Sequence, residues 1–582
     1  MNNTIFLETS HFKDFGGWVL DQQFIGQMFN PYLLAHGLGE PVADAVSKVE
    51  VGYPGTYHVW CRTKNWASIV PNKVSAGESP GRFNLIFDHV LLEHEFGTES
   101  SEWAWEYGGT VELDLHTEIR LHDLTGFDGR CDAIVLSTSS TIELPNTKDG
   151  FKHFRKVYGK QREPEERLYD FVVVGAGVAG ICAAVAAARK GLSVALIHDR
   201  DVLGGNNSSE VRVQLGGKVN LPPFEAIGNV VNEIDHRSNR NARPAEEYRD
   251  DLKWKVVSEQ ENIDLFTSTY VDEVQLDDSV IVSISARNLK NGQVTRFIAP
   301  LFSDCSGDAT LGYLAGAEFR MGRESFEETR ESIAPEKEDQ MTLGTSVMWY
   351  SEETADDQQF PLTPWALSFN DETCQKAKKG DWDWEAGIGR DHIDEFEFIR
   401  DYSLLAIYGN WSYLKNFSFL KDEYRKRKLE WVAYIGGKRE SRRLMGDIVI
   451  SQHDIDNKVK YEDACVTTSW SIDLHEPKII EGFEYESFRA RAKKARVEPF
   501  SIPYRALYSK NIPNLFMAGR NISVTHVALG AVRVMKTTGM MGEVVGLAAS
   551  SCIKNKVFPR QLYSIYLNEF LDVLQKGVPS KK

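Results

Sequence analysis

At 582 residues, 42% hydrophobic and 26% charged, the chain has the composition of a folded protein with room for more than one core. A formal net charge of −17, with no stripe of Lys and Arg interleaved with aromatics, argues against nucleic acid as a partner. No apolar run approaches the ~20 residues that span a bilayer and the start carries no basic-then-apolar leader, so no membrane partner is expected; the chain reads as cytoplasmic, or as secreted or periplasmic if a leader has been removed.

In chain order, residues 1–148 hold short alternating runs such as 55–63 and 110–115, separated by Gly, Pro and Asp or Asn, which predict a β-sandwich. Trp18, Trp60, Trp66, Trp103 and Trp105 give it flat faces that suit sugar rings, as in a carbohydrate-binding-like domain, or simply fill its core. Residues 149–167 are polar and basic and read as a linker, which makes the sandwich an appended module. An apolar strand then enters Val174-Gly175-Ala176-Gly177-Val178-Ala179-Gly180, followed by a helix over 178–190 and a second strand over 193–197. Gly175 permits a tight turn, Gly177 lets the backbone approach a pyrophosphate, and Gly180 lets helix and strand pack closely, with the helix N-terminus supplying N–H groups at Val178 and Ala179.

Residues 262–306 read mostly as strands, a hairpin insertion that returns to the parallel sheet and completes a first nucleotide-binding part over 168–320. Residues 321–500 are rich in Trp and charge, with helical spacing around 395–414 and 420–431, and form an inserted α+β cap or substrate domain. A last strand over 514–520 and a helix over 530–551 close the nucleotide fold within a second part, 501–582, that also holds the C-terminal helices. The fold class expected is therefore α/β: a Rossmann-like dinucleotide-binding fold with an inserted cap, plus an N-terminal β-sandwich. The seven cysteines are scattered and never form CxxC, so reduced buried thiols are expected, with neither a disulfide framework nor a metal site.

Four segments agree with one another: the glycine cradle, the polar run 199–210, Asp304-Cys305-Ser306-Gly307-Asp308-Ala309, and 514–520 with Thr538-Gly539-Met540-Met541-Gly542 downstream. Together with the longer phrases 203–212, 437–447, 470–475 and 518–535, they make the chain resemble the FAD-dependent oxidoreductases related to the succinate dehydrogenase and fumarate reductase flavoproteins. More narrowly, it is similar to a bacterial group, often encoded near polysaccharide-degradation genes, that carries a β-sandwich-like N-terminal region. The resemblance implies FAD, with its pyrophosphate at Gly175 to Gly180 and its flavin beside Gly204, Gly205, Asn206, Ser208 and Ser209. Asp308, Gly519 and Arg520 complete that site, and the flavin pyrimidine edge faces a helix starting near Gly539, Met540 and Met541. A helix N-terminus there would favour anionic reduced flavin.

The carboxylate expected ~20 residues past the glycines is replaced by His198, so the ribose contact falls to Asp199, with His198 or a backbone group as alternatives and Arg200 next in the loop. Where relatives tether flavin through a histidine, this chain has Asn206 and Asn207, which implies non-covalent FAD. For proton handling, His526 and Arg533, seven residues apart, are the first candidates and His475 the next. Arg439, in the cluster 438–443, is placed to anchor an anionic or hydroxyl-rich substrate, or else to join an internal salt-bridge network with Glu440 and Asp447. The expected reaction is hydride transfer between flavin and a small polar, sugar-like substrate, and a homodimer is compatible with the chain. The rivals are a flavin-assisted glycoside hydrolase or lyase with transient internal oxidation, and a non-catalytic glycan-binding flavoprotein.

Overall fold

Phe171–Val174 is the centre of a five-stranded parallel sheet whose order is Ile263–Phe266, Val194–Ile197, Phe171–Val174, Leu301–Asp304, Leu515–Met517. The computed structural model describes residues 3–70, 79–159, 163–236 and 240–581. The three middle strands are buried at every position and, apart from Asp304 at the end of one, apolar or small, as a sheet covered on both faces requires. Strand order runs outward from the first strand in both directions, which is the doubly wound topology, and ligand crevices form at the carboxyl ends of such strands.

Helix Val178–Arg189 covers one face and packs against the long helix Met535–Asn555. That contact is close because Gly542 and Gly546 carry no side chain: a Cβ at each would lie 2.1 Å from the Ala179 carbonyl and 2.4 Å from that of Ala183. The sequence suggested one helix over 530–551. Two are present, His526–Val532 and Met535–Asn555, separated at Arg533 and Val534.

The insertion is an antiparallel meander of Thr269–Asp277, Val280–Asn288 and Val294–Ile298. Its edge takes a fourth, parallel strand, Glu165–Leu168, from the region expected to be a linker. That region also contains helix Lys148–Tyr158, capped by the Thr147 hydroxyl, with Phe151 and Phe154 buried against Phe6. The linker expectation for 149–167 is therefore corrected, except for 160–162, which lie outside the described residues; apolar residues three apart on a capped helix give the segment its own docking face.

In the N-terminal region two four-stranded antiparallel sheets share one core. Tyr57, Val59, Ile134 and Leu136 come from one sheet, and Phe83, Leu85, Ile119 and Leu121 from the other. Trp18, Trp60 and Trp66 are buried, which gives them to packing and not to a glycan surface.

The inserted segment centres on helix Phe396–Asn416, buried over most of its circumference. The second helix expected there is a single turn, Lys421–Tyr424, followed by strand Arg427–Val432, which pairs with Trp349–Glu353. Trp349, Trp384, Tyr408 and Trp411 share a core with Trp66 and Phe127 of the sandwich. Arg130 of the sandwich donates to Asp401 at 2.6 Å and Glu397 at 2.9 Å, while Arg400 donates to Asp21 and Asp401, both at 2.8 Å. The sandwich is thus part of the cap's core and not an appended module. Among the described residues no helix is long and apolar enough to cross a membrane.

Candidate functional site

A cavity of about 480 Å³ lies at the carboxyl ends of the parallel strands, where the glycine loop, the cap and the start of helix Met535–Asn555 meet. Gly175, with φ +100°, has its missing Cβ 2.4 Å from the Cys305 carbonyl, so the turn itself demands glycine. Gly180 is packed in the same way, 1.7 Å from the Gly175 carbonyl, and does not line the cavity. At Gly177 a Cβ would meet nothing within 4 Å. This open cradle is followed by the N–H groups of Val178 and Ala179, and the helix start has no side-chain cap. A second uncapped helix start, at Val534 and Met535, opens into the same cavity. Two helix starts without side-chain caps, the second with its Lys536 N–H already on the Gly216 carbonyl at 3.0 Å, and a Cβ-free approach fit the phosphates and the flavin ring system of a dinucleotide.

Gly204, Gly205 and Asn206 line the wall beside the cradle, Gly204 in the left-handed region and held by its N–H to the Ala176 carbonyl at 2.9 Å. Ser208 and Ser209 turn away: the Ser208 hydroxyl accepts the Glu210 N–H, and the Ser209 N–H goes to Asp250. Gly539, Met540 and Met541 are also outside the cavity. The helix begins four residues before Gly539, whose Cβ position lies 2.5 Å from Val231, and both methionines are core. The helix start facing the cavity is instead formed by Val534, Met535 and Thr538.

His198 is occupied by the protein. Its Nδ1 accepts the Ala176 N–H at 3.2 Å, its Nε2 donates to the Val202 carbonyl at 3.1 Å, and burial lowers its pKa, so it braces the glycine loop as a neutral ring. Asp199 and Arg200 line the cavity beside it, and Asp199 remains half exposed. Further along, Asp308 accepts from Lys438 at 2.7 Å, Arg520 at 2.8 Å and Ser441 at 2.7 Å. Burial would raise the Asp308 carboxyl, but the two cations outweigh it and hold it far below the ordinary range. Gly519 completes this wall.

Five residues meet at the cap side of the cavity: His475, Glu385, Asp473, Arg439 and Arg533. His475 gives Nδ1 to Glu385 at 2.5 Å, and its Nε2 faces Arg533 at 3.4 Å and Asp473 at 3.8 Å. Because Glu385 can only accept when ionised, Nδ1 carries the proton and Nε2 the lone pair. Burial works to raise Glu385, yet Arg439 and His475 hold its carboxyl below the usual value. Arg439 is locked by the Gly344 carbonyl, the Ser346 hydroxyl and the Trp382 carbonyl. Burial, then the charge of Arg439, brings Arg533 down to about 10.

Of the expected catalytic groups, His475, Arg533 and Arg439 are brought together here. His526 is not: its ring is buried, with Nδ1 on Glu440 at 2.8 Å, and it does not line the cavity. Its backbone N–H caps into Glu324, so His526 ties the helix start to the buried Glu440–Arg443–Glu324 network. Glu385, 90 residues from His475, carried no motif that could have singled it out. Gln23 was also missed. It lines the cavity from the N-terminal region, accepts the Gly436 N–H at 2.7 Å and donates to the Tyr434 carbonyl at 2.9 Å.

Residues 170–576 match the profile of a family described as FAD dependent oxidoreductase. The chain belongs to this family. Among solved structures, this oxidoreductase is similar to the myxobacterial chondrochloren halogenase CndH, at 14% identity over 70% of this chain and 79% of that one, with a TM-score of 0.33. It is also similar to the E. coli quinol fumarate reductase FrdA, at 12% identity over 70% and 75%, with a TM-score of 0.27. No curated protein sequence matches it significantly.

Proposed function

We propose that this oxidoreductase moves a hydride between non-covalently held FAD and a small polar, carbohydrate-type substrate, with His475 handling the accompanying proton. Bound FAD would supply the hydride-exchanging centre. The observation that carries the reading is the His475–Glu385 pair on the cavity wall, with Nε2 turned toward Arg533 and Asp473, which line the same cavity. In the oxidative direction that nitrogen takes the proton of a substrate hydroxyl as the adjoining C–H bond loses its hydride, and Glu385 stabilises the imidazolium that forms. Arg533, already 3.4 Å from Nε2, orients the same hydroxyl, while Arg439 keeps Glu385 ionised. Trp382, whose ring centroid is 5.0 Å from that of His475, and Trp470 offer flat faces suited to a sugar ring.

For the cofactor, Asp199 is the carboxylate left to meet ribose hydroxyls once His198 is spent on the loop. Asn206, an amide engaged with the Lys438 carbonyl at 2.9 Å, supports non-covalent binding, as does Cys305, whose thiol burial pushes up to about 12. Anaerobic mixing with neutral sugars and uronates, followed by flavin absorbance, tests the reading. A sugar-type substrate should bleach the flavin, and His475→Ala should keep its flavin but slow bleaching by ~10²–10⁴. A panel that bleaches nothing overturns the substrate, and an unchanged rate in the variant removes His475. Cleavage of a glycosidic bond with no oxygen dependence would assign the hydrolase or lyase instead.

A further inference from the structure

A second cavity, of about 560 Å³, opens where the turn at Ile25 to Phe29, helix Lys148–Tyr158 and the hairpin meander meet. In a chain of net charge −17, its walls carry five Lys and Arg side chains against three carboxylates. Two exposed pairs, Lys152 with Glu273 and Arg296 with Glu166, neutralise part of that charge. Arg155 and Arg287 reach the cavity from different elements, and both donate to the Phe29 carbonyl, at 3.3 and 3.2 Å. Each has one carboxylate partner on Nε, Glu8 at 2.9 Å and Asp272 at 3.3 Å, and neither Nη1 donates to an acceptor among the described residues. Burial, then the charge of Arg155, lowers the pKa of Arg287. Like charges held together at one end of a cavity leave a site that an anion completes.

The remaining wall is apolar, formed by Ile25, Phe29, Val294 and the ring of Tyr270. We propose that this cavity is a binding site for an oxyanion carried on an apolar body, an organic phosphate or carboxylate, gripped by Arg155 and Arg287. A bare inorganic ion would leave the apolar wall unused, and a neutral apolar ligand would leave the Nη1 groups of both guanidiniums without an acceptor. Tyr270 also lines the cofactor cavity, so an occupant lies one aromatic ring away from the dinucleotide site without sharing it.

Calorimetric titration of the FAD-loaded protein with phenyl phosphate, benzoate and inorganic phosphate tests the site. Phenyl phosphate or benzoate is expected to bind one to one, the better of the two naming the oxyanion, with inorganic phosphate at least about tenfold weaker. Arg287→Gln should weaken that ligand about tenfold at unchanged flavin content, as loss of a charge-assisted pair does. Should that variant fail to fold, Arg155→Lys, which keeps the charge but loses the fork, serves in its place. Absence of saturable binding, or equal affinity in the variants, overturns the site; equal affinity for inorganic phosphate overturns its apolar half.

Discussion

At Gly177 a methyl group would meet no atom within 4 Å, whereas at Gly175 it would strike the Cys305 carbonyl, so Gly175 is required by the fold and Gly177 only by what occupies the cavity. Gly177→Leu is therefore expected to melt like the wild-type apoprotein and to retain no flavin; a yellow variant would refute the cradle. Glu543 makes a second residue-scale case. Its buried carboxylate accepts the N–H groups of Gly228, Val230 and Val231, yet burial outweighs them and pushes it up to about 7. Between the ordinary carboxyl range and that value the folded chain keeps a proton that the unfolded chain releases. Stability should then fall as pH rises through this window and level off above it, by at most about 3 kcal/mol. Urea midpoints measured across pH 4 to 8, in ~1 unit steps, should show that slope in the wild type and a flatter one in Glu543→Gln.

Elements differ in how far their sequence announces them. Strands Phe171–Val174 and Val194–Ile197 are wholly apolar and helix Val178–Arg189 is apolar or small up to its last residue, and their pattern alone places them. The segment 420–431 mixes both periods, and pairing with Trp349–Glu353 decides for a strand. The break at Arg533 and Val534 is also tertiary: it carries Arg533 into the cavity and moves the helix start away from Gly539. Between the cap and the cofactor wall, Gln23 fixes the stretch Tyr434 to Gly436, just ahead of Lys438 and Arg439. Gln23→Ala removes three hydrogen bonds at a half-buried position, to Asp21, Tyr434 and Gly436, which corresponds to about 1 to 3 kcal/mol. Flavin affinity, read by fluorescence titration, is expected to drop about tenfold with little change in apoprotein melting; equal affinity would show that the clamp does not position the wall.

For the whole molecule, the join between sandwich and cap is a core, with Arg130, Arg400, Asp21 and Asp401 all buried in one hydrogen-bonded set. Removing one side of such a set costs about 3 to 5 kcal/mol for each uncompensated pair, besides exposing Trp365 and Tyr408. A chain starting at residue 148 is expected to be insoluble or flavin-free, and a soluble yellow truncation would restore the detachable module. What the sequence determined by itself is the part governed by local rules, namely strand, glycine turn and helix spacing and the Rossmann-like class, with FAD implied by the family resemblance and His475, Arg439 and Arg533 present as candidates. Tertiary structure alone decided which histidine reaches the cavity, that Glu385 holds its Nδ1, that His198 braces a loop, and that the sandwich supplies Gln23. Those outcomes depend on contacts between residues tens to hundreds of positions apart, where local periodicity carries no information and burial selects the partner.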